Sequence, residues 1–281
     1  MTAHIGDIGC DELRDRYLHL LKRSLSRTGF EGSFSLVPTL KNAKGRGRVV
    51  ATVQAALATR GYHLAKAVDN NRRSVGSDRP ADAETMIGMA RLDNLQWCVE
   101  TALAEQVPGD VIETGAWRGG ACILMRAILA SYGVTDRTVW VADSFAGLPP
   151  PDPRYPADAS AQFHKDAQLA VSLEEVRANF ARYDLLDEQV QFLVGWFKDT
   201  LPTAPIEQLA VARLDGDMYE STIEALDVLY PKLSPGGFLI IDDYRIHMCK
   251  QAVTDYRLGH AIEDPIQEID GYAIYWRKSS P

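Results

Sequence analysis

GDVIETGAWRGG, residues 109–120, decides how this chain folds. A short run rich in β-branched residues (Val111, Ile112, Thr114) passes straight into a glycine-bearing turn and then into the apolar stretch CILMRAIL. That is the strand–loop–helix junction of an α/β sheet. Downstream, the strand-like runs TVWVADSF, VQFLVG, LAVARLD and GFLIIDD alternate with helical segments, among them residues 119–132, 172–183 and 248–258. Such alternation predicts a parallel sheet with crossover helices. The chain closes on IQEID-Gly271-YAIYWRK, where the Asp270-Gly271 step between β-rich runs signals a hairpin.

Five parallel strands followed by a hairpin is the order of Rossmann-like class I S-adenosylmethionine (SAM) dependent methyltransferases. Dinucleotide dehydrogenases end on another parallel strand instead. The expected fold is therefore α/β, a mostly parallel seven-stranded sheet ending in an antiparallel hairpin, with an N-terminal helical lid. Residues 84–281 form the methyltransferase domain in this reading, and residues 1–83 the lid extension. In the extension, Leu13, Tyr17, Leu20, Leu21 and Leu25 recur at helical spacing. Gly32 to Val68 holds six Lys/Arg and no acid, with Val49, Val50, Val53, Ala56 and Leu57 on one helical face inside it. Residues 70–81 read as a loop, and Glu84 to Glu105 as a long helix with Met86, Met89, Leu92, Leu95 and Val99 on its apolar side.

The loop Glu113-Thr114-Gly115-Ala116-Trp117-Arg118-Gly119 suits a cofactor. Glycines let backbone pass close to a ligand, and a helix N-terminus presents N–H groups. SAM carries a carboxylate for those donors and a sulfonium that an acid near the strand end attracts. The dinucleotide fingerprint G-x-G-x-x-G fails, because Trp117 stands at its second glycine. Read alone, the loop is equally a strand–helix turn that uses glycine for packing. Asp143 ends the second strand, where such acids accept hydrogen bonds from ribose hydroxyls; its bland alternative is a turn or helix cap. Ser144, Ser172 and Gly195 join the cofactor-side candidates. Trp196 and Phe197 follow the third strand, where an aromatic can stack on adenine or simply pack in the core.

Acids also close the fourth and fifth strands, at Asp215-Gly216-Asp217 and Asp242-Asp243. Carboxylates gathered at one sheet rim repel without a counter-ion, and Mg²⁺ takes a few carboxylates plus water and substrate oxygens. Asp242 and Asp243 can both reach an ion only where the strand bends away, since consecutive strand residues face opposite sides. D-G-D read alone is turn chemistry and D-D a polar strand end. His164 and His247 fall in loops on the substrate side, where a histidine is either catalytic or merely solvated.

The bulk numbers exclude several classes. The chain has 281 residues, 46% hydrophobic and 24% charged, with a net charge of -8, which argues against general nucleic-acid binding. Its four scattered cysteines form no C-x-x-C pair, so no disulfide framework or zinc site is expected. With no transmembrane run and a polar start, the expectation is a soluble, cytoplasmic protein, and a homo-oligomer.

The segments ETMIGMARLDNLQ, PGDVIETGAWRGGACILMRAIL, DRTVWVADSFAG, YDLLDEQVQFLVGWFKDTLPTAP, LDGDMYESTIEAL and SPGGFLIIDDY closely resemble the macrocin O-methyltransferase family. The likeness runs from Thr85 to Arg277 and includes the RYLHLLKRSL helix. Members of that family methylate sugar hydroxyls of macrolide and aminocoumarin antibiotics with SAM and Mg²⁺. The resemblance implies Asp215, Asp242 and Asp243 as metal ligands and Asp217 as general base, with Asp215 beside it in catalysis. It also implies Glu113 to Gly119, Asp143 and Ser144 as the SAM site, with Thr85 and Met86 in a segment closing over the cofactor. Residues 30–83 depart from the short acidic lid of the antibiotic enzymes. Their positive charge suggests an anionic sugar acceptor, nucleotide-linked or lipid-phosphate-linked. Two rival readings remain at this point. One is a metal-dependent glycosyltransferase using Asp215 and Asp217 as D-x-D; the other is a non-catalytic SAM-binding scaffold.

Overall fold

The computed structural model describes residues 9–30, 34–36, 45–67, 69–78 and 80–279. Helix α1 (Cys10–Ser26) opens the chain, and a small antiparallel ribbon, β1 (Phe34–Leu36) with β2 (Ala65–Ala67), brackets α2 (Arg46–Ala58). Next come α3 (Asn70–Ser74), α4 (Met89–Ala104), β3 (Asp110–Thr114), α5 (Gly120–Ser131) and β4 (Val139–Asp143). After a long loop with short 3-10 turns follow α6 (Leu173–Arg182), β5 (Val190–Val194), α7 (Phe197–Thr200), β6 (Leu209–Leu214) and α8 (Tyr219–Lys232). The chain ends with β7 (Leu233–Ile241), α9 (His247–Gly259), β8 (Gln267–Glu268) and β9 (Ile274–Arg277).

The main sheet has seven strands in the order β5-β4-β3-β6-β7-β9-β8. Strands β3 to β7 run parallel, and β9 inserts antiparallel between β7 and β8. This is the expected sheet and hairpin. Strand order reverses between β3 and β6, and ligands of open α/β sheets sit outside the strand ends at such a switch point.

Both faces of the sheet are covered, which is why its strands read as nearly continuous apolar runs. Side chains alternate: Val111, Val141, Val211 and Ile240 face a core shared with α1, α4, α5 and α6, while Ile112, Ala142, Ala212 and Leu239 face α8 and α9. Helix α5 is buried from Gly120 to Leu129.

Four element readings change. In α1 the buried face is Leu18, Leu21 and Leu25, while Leu13, Tyr17 and Leu20 are exposed. Helix α4 starts at Met89 rather than Glu84. A Cβ on Gly88 would lie 2.5 Å from the Val75 carbonyl carbon, and that close crossing stops the helix from extending backwards. In the loop at 70–81, Asp69 accepts from Asn71 N–H and caps the short helix α3. Helix α2 forms, but Val49, Val50 and Val53 are exposed rather than packed. Two of the cations in this basic stretch, Lys41 and Lys44, lie outside the described residues. Among the described residues no helix is long and apolar enough to cross a membrane.

Candidate active site

Three strands leave the sheet at one level. Gly115 N–H donates to Ala142 O at 2.8 Å, and Asp215 N–H to Thr114 O and Asp242 N–H to Leu214 O, each at 2.9 Å. Gly115 is the tightest point of this rim: at φ +84°, a Cβ would sit 1.7 Å from the Asp215 carbonyl oxygen. Trp117 is also left-handed, at φ 48°, a conformation that costs an L residue roughly 1–2 kcal/mol. Its indole N–H donates to Gln168 O at 2.8 Å, and the Arg118 guanidinium lies 4.4 Å over its ring. The backbone thus turns there as a glycine would, and the tryptophan side chain closes the turn.

One cavity opens on this rim. Met86, Gly115, Trp117, Asp143, Ser144, Gly195, Trp196 and Phe197, all candidates for holding the cofactor, line one side. Asp215, Asp217, Glu220, Glu224 and Lys198 line the other. Asp143 Oδ2 accepts from Ala116 N–H at 2.8 Å and Trp117 N–H at 3.2 Å, and its Oδ1 accepts from Phe145 N–H at 2.8 Å. Asp143 therefore holds the loop in shape, and lone pairs remain on its oxygens for a ribose. Burial raises its pKa despite those N–H bonds.

Other cofactor-side candidates act from behind the cavity wall. Glu113 is buried beneath the loop, ion-paired with Arg213 directly opposite on β6, and accepts from the Cys122 thiol at 2.8 Å. Its carboxylate is thus an interior partner of Arg213 and does not line the cavity where a sulfonium would sit. Burial lifts its pKa to about 7 even beside Arg213. Thr114 and Ala116 are buried in the same junction. Gly120 N–H donates to Glu84 O at 3.0 Å, seating residues 84–86 on the start of α5, and Thr85 Oγ1 accepts from Ile87 N–H. Arg118 straps the preceding segment, donating to Ala81 O at 2.8 Å and Ala83 O at 3.0 Å. Gly119 begins α5 at φ 86° against Val176, and Ser172 caps α6 by accepting from Glu175 N–H. His164 and His247 are exposed and line no part of this cavity.

The acidic cluster assembles as the strand spacing suggests. β7 ends at Ile241 and Asp242 begins a turn, which is the bend that lets Asp242 and Asp243 converge. Carboxylate oxygens of Asp215, Asp242 and Asp243 lie within 4.8 Å of one another. Asp243 Oδ2 accepts from Asp217 N–H at 3.0 Å. Two arginines make this crowd tolerable. Arg213 pairs with Glu113, with Asp215 at 2.8 Å and with Asp242. Arg91 pairs with Asp242 at 2.5 Å and Asp270 at 3.0 Å. Burial opposes the charge on Arg213, but Asp242, Asp215 and Glu113 outweigh it and hold its pKa well above the ordinary value. Asp215 is raised by burial and by Asp242. Asp243 is pushed well up, first by burial and then by Asp217, Asp215 and Asp242.

Sequence patterns did not single out Arg213, Asp158, Glu220 or Glu224. Asp158, fully buried in the long loop, accepts from Tyr219 N–H at 2.7 Å and Glu220 N–H at 2.9 Å. It thereby docks that loop onto the start of α8. Burial and the neighbouring Glu220 raise Glu224 to about 7.

The macrocin-O-methyltransferase (TylF) family model matches residues 14–278. A mycinamicin III 3''-O-methyltransferase of Micromonospora griseorubida is 51% identical over 268 residues, 94% of this chain and 96% of that protein. A demethyldecarbamoylnovobiocin O-methyltransferase of Streptomyces niveus is 56% identical over 210 residues, covering 74% of this chain and 80% of its own length. The solved O-methyltransferase NovP aligns with a TM-score of 0.81 at 46% identity, over 95% of this chain and 100% of that one. These matches overturn the glycosyltransferase and scaffold readings. With its glycine loop, terminal hairpin and clustered strand-end acids, the chain belongs to the macrocin-O-methyltransferase family and is a SAM-dependent O-methyltransferase.

Proposed function

We propose that this enzyme methylates a hydroxyl on the sugar of a glycosylated natural product, with Asp217 taking the proton and Asp215, Asp242 and Asp243 holding Mg²⁺ nearby. One observation carries the reading: the glycine loop and Asp215 meet at a single cavity, and the Asp215 carboxylate lies within 4.8 Å of those of Asp242 and Asp243. The relatives' acceptors support the sugar, since mycinamicin III, demethyldecarbamoylnovobiocin and a rhamnosyl tetracenomycin appear in their names. The donor set suits a hard cation, being all carboxylate oxygen. Asp242 Oδ1 is buried without a hydrogen bond, facing only its ion-pair partner. A bound Mg²⁺ supplies Lewis acidity that lowers the pKa of a hydroxyl and fixes its place, and SAM supplies a methyl group already activated by its sulfonium.

The chain itself contributes placement and proton removal. Met86, Trp117, Trp196 and Phe197 wall the cavity against water, and Gly115 and Asp143 keep the loop rigid. Asp215 is bound by Arg213 at 2.8 Å and belongs to the carboxylate trio, which commits its oxygens and leaves the proton to Asp217. An anionic acceptor, suggested by the cations of residues 32–68, would meet Asp217, Glu220 and Glu224 in the cavity. Arg46, Arg48 and Arg60 are exposed, and none lines it. We read the acceptor as uncharged, and residues 45–67 as the lid portion of the N-terminal extension. Self-association belongs to the same reading, supported by the exposed row Leu13, Tyr17 and Leu20 along α1.

The test is incubation with SAM and Mg²⁺, using mycinamicin III and demethyldecarbamoylnovobiocin as acceptors and mass spectrometry for a gained methyl. Product that forms with Mg²⁺ and stops with EDTA is the expected result. An EDTA-insensitive rate removes the cation from the reading, and no methylated glycoside removes the acceptor class.

A further inference from the structure

We propose that Glu220 selects the acceptor: its carboxylate receives hydrogen bonds from sugar hydroxyls neighbouring the one that is methylated, and it turns anionic acceptors away. The assignment rests on the glycoside reading above and adds the residue that enforces it. Glu220 is 4% exposed, lines the cavity beside Asp217, and its Oε2 is buried with no hydrogen-bond partner. Buried carboxylate oxygens are costly when unpaired, so an orphan on a residue that lines a cavity points to a ligand donor.

The usual explanation for an acid at a helix start is capping. Asp158 already fills that role on α8, with its two oxygens on Tyr219 and Glu220 N–H. The Glu220 side chain is thus released from local duty. Glu224 lies one helical turn further on, lines the same wall and extends the acceptor strip. Vicinal sugar hydroxyls are donors that match two stacked carboxylates. A phosphate would instead confront Asp217, Glu220 and Glu224 together, with Lys198 the lone cation lining that cavity among the described residues.

The experiment measures KM for acceptor and for SAM in wild type, Glu220→Gln, Glu220→Asp and Glu224→Gln, using whichever of mycinamicin III and demethyldecarbamoylnovobiocin the wild type methylates. Glu220→Gln should raise the acceptor KM about tenfold or more, as expected for losing a hydrogen bond to a charged group. The SAM KM should stay within about twofold, and Glu220→Asp should restore part of the loss. Glucose 1-phosphate should inhibit the wild type less than the Glu220→Gln variant. An unchanged acceptor KM, or a parallel rise in both constants, overturns the assignment. If Glu220→Gln does not fold, Glu224→Gln reads the same strip, and an unchanged acceptor KM there overturns it equally. Wild type inactive on both glycosides would sink the function proposed above and this assignment with it; normal wild-type turnover with an insensitive Glu220 sinks the assignment alone.

Discussion

Arg213→Met separates the charge architecture of the site from its chemistry. Arg213 lies in a fully buried strand, 1% exposed, and serves Glu113, Asp215 and Asp242. Methionine fills a similar slot without charge. Asp242 keeps Arg91 at 2.5 Å, so the loss falls on Glu113 and Asp215. Removing one partner of a buried ion pair costs about 3–5 kcal/mol. For a chain of this length that converts to a fall in Tm of roughly 6–20 °C. The pH dependence has a definite sign. Glu113 titrates near 7 with Arg213 present, already above an unfolded glutamate, and without the cation it rises further. A raised folded pKa gives stability that is complete below the unfolded pKa and is lost as pH climbs. The deficit of the variant should therefore be largest above about pH 7 and shrink towards about pH 5, where Glu113 is neutral. Calorimetry in EDTA at several pH values reads this directly. A fall in Tm of under about 2 °C, or a deficit that grows in acid, would refute the reasoning.

Asp217→Asn removes the proposed proton acceptor while keeping shape, so kcat should fall about a hundredfold or more with SAM affinity preserved. Near-normal kcat in this variant, beside a dead Asp215→Asn, would move the base to Asp215 or to metal-bound solvent. Gly115→Ala drives a Cβ to 1.7 Å from Asp215 O at a backbone φ of +84°, so loop and β6 must separate. SAM binding measured by calorimetry should weaken about tenfold or more, and wild-type affinity would show that the loop tolerates the displacement.

The strands were legible because both sheet faces are covered, so each reads as an apolar run cut off by glycine or acid. The face of α1 was not. Leu13-Tyr17-Leu20 and Leu18-Leu21-Leu25 both recur at helical spacing, and only the positions of α4 and α5 decide which is buried. The strand-end acids were legible for the same reason as the strands, since a polar residue that closes a buried run must sit at the rim. Glu113 escaped correct placement because it precedes Gly115 by two residues and points inward, towards a partner one hundred positions away. A signal for that partner did exist. Arg213 is the lone cation in LAVARLD, and a cation in a buried strand has to be paired. Asp158 and Glu220 lie about sixty positions apart in the chain, and no local pattern reports such a contact.

Arg213 and Arg91 also explain how so many acids persist at one rim. Four carboxylates, Glu113, Asp215, Asp242 and Asp270, share two buried guanidiniums, and Asp243 is paired with neither of them. Asp243 is pushed well up, by burial and by its acidic neighbours. A divalent cation at Asp215, Asp242 and Asp243 would answer that residual repulsion, because it would bring positive charge to Asp243, which neither arginine pairs. The arginines would hold two of the proposed ligands, Asp215 and Asp242, in place beforehand and at the same time compete for them. Affinity for the ion should therefore be moderate and dependent on pH, rising as Asp243 loses its proton.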